Sequence, residues 1–182
     1  MVIPPEIALE RATSNDHSLL SNLLELYLHD LSEIFPIKVG VDGRFGYENL
    51  PLYWSEPDGR FAYLIRNNAD VVGFALVTRG SPATVDPHDL DVSEFFILRS
   101  YRRCGIGRRV AFLLWDLIPG RWVVRVSEMN SAGLKFWEGA IREYTRDTYR
   151  ERLYPGKSHI FRAFTFTSER EASSPVPGPQ TL

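Results

Sequence analysis

Cysteine is almost missing from this chain: Cys104 is the only one in 182 residues, so no internal disulfide can form and the fold must rest on a packed core. Neither charge sign is in excess. The 21 basic and 23 acidic residues leave a net charge of −2, which argues against nucleic acid or an anionic membrane as the main partner. No apolar run approaches the roughly 20 residues that span a bilayer. Met1-Val2-Ile3-Pro4-Pro5-Glu6 lacks the basic start and apolar stretch of a secretory signal, and a cytoplasmic location is expected. The four histidines, His17, His29, His88 and His159, show no metal-ligand spacing, so no metal site is expected. No internal repeat is present.

What the chain does have is 44% hydrophobic and 13% aromatic residues, enough for one sizeable core. A single domain over residues 1–166 is expected, followed by a tail, 167–182, whose Ser173-Ser174-Pro175-Val176-Pro177-Gly178-Pro179 run favours disorder. Ile7 to Ala12 reads as a strand. Leu19, Leu20, Leu23, Leu24, Tyr27, Leu28 and Leu31 recur at helical spacing up to about Glu33. Phe35 to Gly59 is a long, glycine-, proline- and aromatic-rich loop. Phe61–Arg66 and Val71–Thr78 form a hairpin, Val92–Leu98 a further strand, and Ile106–Leu117 a helix. Trp122–Val126 is a strand, Ser131–Ile141 a helix, and Thr145–Leu153 with His159–Phe166 a closing strand pair. That order implies an α/β chain of the α+β type, with a mixed sheet of about seven strands and helices on both faces.

The most informative segment is Arg102-Arg103-Cys104-Gly105-Ile106-Gly107. It joins a strand to a helix whose first N–H groups lack intrahelical partners and can bind an anion. Gly105 and Gly107 clear the approach, and Arg102, Arg103, Arg108 and Arg109 add positive charge. A diphosphate suits both features.

With Asn130-Ser131-Ala132-Gly133-Leu134-Lys135-Phe136-Trp137 following in order, the chain resembles the GCN5-related N-acetyltransferase (GNAT) superfamily. The resemblance implies a mostly antiparallel sheet whose fourth and fifth strands splay. It implies acetyl-CoA as acyl donor, its arm along the backbone of Phe96, Ile97 and Leu98, its pyrophosphate on Arg102, Arg103, Cys104, Gly105, Ile106, Gly107 and Arg108, and further contacts at Asn130 and Trp137. The Ile97 N–H is the candidate oxyanion donor. Alternation along Val92, Glu94, Phe96 and Leu98 puts Glu94 beside the thioester as candidate general base, with Glu128 in reserve. Trp137 stands where many members carry a tyrosine that protonates the leaving thiolate, which indole cannot do. Gly133 replaces a usual alanine, and Glu138-Gly139-Ala140-Ile141 departs from the usual Gly-Phe. Cys104 is expected to be a spectator.

The acceptor is expected to be a primary amine of a small molecule or peptide. The acidic and aromatic stretch behind the first helix supplies Asp30, Glu33, Tyr47, Glu48 and Trp54 as candidate contacts. The alternatives are a non-catalytic coenzyme A-binding sensor of the same fold and an acetylating enzyme for charged tRNA, which the near-neutral charge disfavours. A homodimer through an exposed sheet edge is compatible with the resemblance.

Overall fold

The computed structural model describes residues 6–169. Seven strands form one sheet in the order β1-β2-β3-β4-β5-β7-β6: β1 (Ile7–Arg11), β2 (Arg60–Asn67), β3 (Asp70–Arg79), β4 (Leu90–Ile97), β5 (Gly120–Ser127), β6 (Arg150–Pro155) and β7 (Ile160–Ser168). All neighbours are antiparallel except β4 and β5. Helices α1 (His17–Leu31) and α2 (Leu52–Ser55) cover one face, and α3 (Ile106–Leu117) and α4 (Ser131–Thr145) the other. No helix among the described residues is long and apolar enough to cross a membrane.

Each face has its own core, fixed by side-chain periodicity. On the α1 side, Leu20, Leu23 and Leu24 bury the helix stripe against Leu64, Phe74, Leu76 and Phe96. On the other side, Leu114, Trp115, Trp137 and Ile141 close over Val77, Val92, Trp122, Val124 and Phe164. The alternation of β3 feeds both cores, Leu76 going to one and Val77 to the other.

Two sequence-based boundaries move. The helix expected to stop at Ile141 continues to Thr145, so 145–149 is not strand. Ala140 and Ile141 are buried, Glu138 and Arg142 pair one turn apart at 3.1 Å, and the helix ends only where Arg146 and Asp147 take left-handed φ values of 52° and 65°. Strand β7 also overruns the expected tail by two residues. Thr167 pairs with Arg121, and the buried Ser168 accepts the Trp122 indole N–H at 3.1 Å. Residues 170–182 of the expected tail lie outside the described residues.

The sheet is tightest where β3 meets β4. A Cβ on Gly73 would stand 2.0 Å from the Phe96 carbonyl oxygen, so only glycine permits this approach of two backbones. Gly73→Ala is therefore expected to cost about 1–3 kcal/mol or more by forcing β4 outward. Thermal unfolding checks this, and an unchanged Tm would contradict the close approach.

Candidate functional site

The site begins with one extra residue. Leu76 of β3 faces Glu94 and Val77 faces Val92, so Ser93 is bulged out of β4. The bulge breaks the alternation expected from the sequence. Val92 packs under α4, whereas Glu94 and Phe96 lie on the α1 face. From this point β4 and β5 also part: their parallel pairing covers only Leu90–Val92 with Trp122–Val124, although both strands continue.

Beyond Val92, the β4 edge is therefore open. The Leu98 N–H donates to Val72 at 2.8 Å and Phe96 faces Phe74, so antiparallel alternation turns the peptide groups of Phe96 and Leu98 toward β3. Phe95 and Ile97 aim theirs at the opening. The Ile97 carbonyl there accepts the Arg102 Nε at 2.6 Å. This corrects the expected backbone contacts at Phe96 and Leu98. Phe96 reaches the cleft as a side chain, and Leu98 packs with the α1-side core.

Two cavities meet at this opening. The larger, about 760 Å³, runs from Phe95 and Ile97 to Arg102, Arg103, Gly105, Gly107 and Arg108. The smaller, about 310 Å³, lies between β4 and β5 and holds Glu94. Tyr27, Leu31, Phe95, Asn130 and Trp137 line both and mark their junction.

At the far end of the larger cavity, Arg103 and Gly105 take left-handed φ values of 61° and 83°, and Gly105 caps α3. The alternating conformation turns successive N–H groups to one side, making an anion nest continuous with the N-terminus of a 12-residue helix. Gly105 serves by its φ, with open space around it. Gly107 serves by closeness, since a Cβ there would meet the Phe136 ring at 3.3 Å. Ile106 is buried beneath the turn, and the exposed Cys104 donates its thiol to the Tyr101 carbonyl at 2.9 Å.

Asn130 caps α4, its Oδ1 accepting the Gly133 N–H at 2.9 Å and its Nδ2 left for the cleft. A Cβ at 133 would stand 2.6 Å from that Nδ2, so the glycine in place of alanine lets the cap fold tightly. Trp137 packs among Phe95, Phe136 and Trp115.

Glu94 is held from two sides. Tyr27 donates to Oε2 at 2.6 Å and Tyr47 to Oε1 at 3.0 Å. The loop that delivers Tyr47 is tied to α1 by Glu25, which accepts the N–H groups of Phe45 (2.7 Å) and Gly46 (3.1 Å) and pairs with Arg44. Burial pushes the Glu94 carboxyl above the ordinary carboxylate range, against the pull of both tyrosine hydroxyls and the nearby Arg125 charge. Burial and the Glu94 charge in turn raise the Tyr27 and Tyr47 phenols, which remain protonated donors.

The other expected acceptor contacts fall elsewhere. Asp30 binds Arg99 and Arg102 at 2.7 and 2.5 Å beside the larger cavity. Burial would raise its carboxyl, yet the two arginines hold it low. Glu33 is exposed on the same cavity, Glu48 is exposed outside both, and Trp54 packs against the α1-side core. Glu128 pairs with Arg162 at 2.9 Å, outside both cavities. Sequence reasoning missed Tyr27, Glu25, Arg125, Asp91, Phe35 and Phe161. Tyr27 had a signal, being the hydroxyl in a leucine stripe, and a buried phenol needs a partner. Arg125 had another, as the cation inside an apolar strand.

The sheet is thus opened between two strands, with an anion nest at one end and a carboxylate at the other. The family model described as the acetyltransferase (GNAT) family matches residues 21–138, and the chain belongs to that family. Among solved structures, it is similar to an acetyltransferase from Thermus thermophilus (TM-score 0.63, 16% identity, covering 88% of this chain and 96% of that one). It is similar also to spermidine N-acetyltransferase from Vibrio cholerae in complex with CoA and spermine (TM-score 0.60, 11% identity, 89% and 95%). A third is aminoglycoside acetyltransferase AAC(6')-Ib in complex with coenzyme A (TM-score 0.65, 13% identity, 89% and 95%). No curated protein matches the chain.

Glu94 sets a pH-dependent test. Folding raises its carboxyl above the unfolded value of about 4.3, so the folded state holds the extra proton. Its contribution to stability falls as pH rises from there through the raised value. Glu94→Gln is expected to raise Tm relative to wild type more at pH 8 than at pH 4.5, read by differential scanning calorimetry. A larger gain at pH 4.5 would reverse the assignment.

Proposed function

We propose that this chain transfers the acetyl group of acetyl-CoA to a primary amine of a small molecule or peptide by direct attack. The observation that carries it is the placement of Glu94, a carboxylate raised by burial and fixed by two tyrosines, in the smaller cavity next to Phe95, which lines both. The nest from Arg103 to Arg108 would hold the pyrophosphate, with Arg102 and Cys104 flanking it. The peptide edge of Phe95 and Ile97 would hold the pantetheine arm like an added strand, helped by Asn130 Nδ2 and by Trp137 as a packing surface.

The chemistry then follows from what each group can do. A lysine-like amine is mostly protonated at neutral pH, and Glu94 accepts the proton that frees its lone pair. As the amine nitrogen bonds to the thioester carbon and the carbon–sulfur bond breaks, an N–H on the open β4 edge stabilises the oxyanion. Ile97 is the candidate donor from the sequence, and the geometry adds Phe95, which adjoins Glu94. The nitrogen, cationic once bonded to carbon, gives its second proton to the departing thiolate, whose thiol has an ordinary acidity of about 8.5, so no proton from Trp137 is needed. In the reserve role, Glu128 is disfavoured by its ion pair with Arg162.

Release of free thiol from acetyl-CoA in the presence of an amine panel tests the reaction. Glu94→Gln should lower kcat/KM by roughly 10²–10⁴-fold while the coenzyme A Kd stays the same. Turnover by the variant at the wild-type rate would remove Glu94 as base. Gly105→Glu puts a carboxylate and a strained φ into the nest and should abolish coenzyme A binding, read by calorimetry, with the circular dichroism unchanged. Retained binding would overturn the donor assignment. Stabilisation by coenzyme A with no turnover of any amine would favour the sensor instead.

A further inference from the structure

The smaller cavity contains a second fixed charge. Arg125 follows directly on the last parallel pair of β5, as Ser93 and Glu94 do on β4, so the two strands bring the guanidinium and the carboxylate to the same chamber. Asp91, wholly buried, accepts Nε at 2.8 Å and Nη2 at 2.9 Å from Arg125 and also the Ser81 hydroxyl. That pairing uses one edge of the guanidinium and leaves Nη1 for the cavity. A buried ion pair is a poor source of stability compared with apolar packing. What it does supply here is an oriented N–H donor in the acceptor chamber.

The composition of the wall argues against a polycation. The titratable residues lining it are Tyr27, Glu94, Arg125 and His159, so one carboxylate serves the whole chamber. The acids expected to attract an amine-rich acceptor do not line it: Asp30, neutralised by two arginines, and the exposed Glu33 lie on the larger cavity, and Glu48 lies outside both. A second ammonium would meet a guanidinium and an imidazole. The remaining wall is aromatic, with His159 stacked on Phe35 at 4.9 Å and 4.6 Å from Phe161. At about 310 Å³ the chamber fits a small molecule.

We propose that the acceptor is an amino acid: its amine on Glu94, its carboxylate on the free edge of Arg125, and an apolar or aromatic side chain against Phe35, His159 and Phe161. This rests on the acetyl transfer proposed above and narrows its acceptor. Arg125 is then a specificity-determining residue that touches substrate, and Asp91 is a positioning residue.

The test uses the full-length wild-type chain, acetyl-CoA and matched acceptors: apolar and aromatic amino acids, their amides, their decarboxylated amines, and spermidine. The expected result is a kcat/KM for at least one amino acid about ten- to a hundredfold above its amide and its decarboxylated amine, the worth of a charge-assisted hydrogen bond. Arg125→Met alone would strand the buried Asp91 charge, so the variant is Arg125→Met with Asp91→Leu. It should bring that ratio near unity, chiefly through KM. Decarboxylated amines or spermidine turned over as well as the amino acids would overturn the proposal and leave acetyl transfer standing. A ratio that survives in the double variant would overturn the role of Arg125. Absence of thiol release with every acceptor would bring down the acetyl-transfer reading as well.

Discussion

The parting of β4 from β5 after Val92 and Val124 is the constraint on which the site depends. Two parallel strands that continued side by side would satisfy each other's peptide groups and close the sheet. Here the extra residue at Ser93 turns β4, and the peptide groups of Phe95 and Ile97 are left without a strand to meet. Unpaired edges invite a partner. In this fold the space beside that edge has an anion nest at one end and opens at the other onto the chamber that holds Glu94.

The same bulge decides which core each neighbour joins. Without it, Glu94 would share a face with Val92 under α4, among tryptophans and far from α1. With it, Glu94 faces the first helix and takes hydrogen bonds from Tyr27 and Tyr47. A carboxylate so placed is costly to ionise, which holds its carboxyl above the ordinary range. Holding it needs two rigid donors, and these come from separate parts of the chain, one from a helix and one from the loop anchored on Glu25.

Much of this architecture was legible in the sequence, for identifiable reasons. The leucine spacing of α1, the alternating strands and the Arg102–Gly107 turn are local patterns, and α3 falls at Ile106–Leu117 as its periodicity and the Pro119-Gly120 stop require. The bulge was not legible, because nothing in Val92-Ser93-Glu94 marks one extra residue, and the alternation argument failed there. Helix α4 ran past its expected end because Tyr144, in the added turn, packs on Phe112, Trp115 and Phe166 and Arg142 pairs back to Glu138. The acceptor residues were placed by composition alone. Charge content says nothing about pairing: Asp30, expected as an acceptor contact, and Glu128, expected as a reserve base, are each bound to arginine in the fold. Arg125 and Asp91 come together only through the register of β4 and β5.

The Glu25 clamp divides the long loop into two parts with different freedoms. Phe45 and Gly46 are pinned to α1, and Tyr47 directly behind them inherits that fixed position. Residues 36–43 hang between the end of α1 and the clamp, and Lys38, Val39, Val41 and Asp42 among them are solvent-exposed. Their length and composition can change without disturbing the tyrosine that donates to Glu94. The single carboxylate of Glu25 thus insulates the support of Glu94 from whatever happens in the exposed half of the loop.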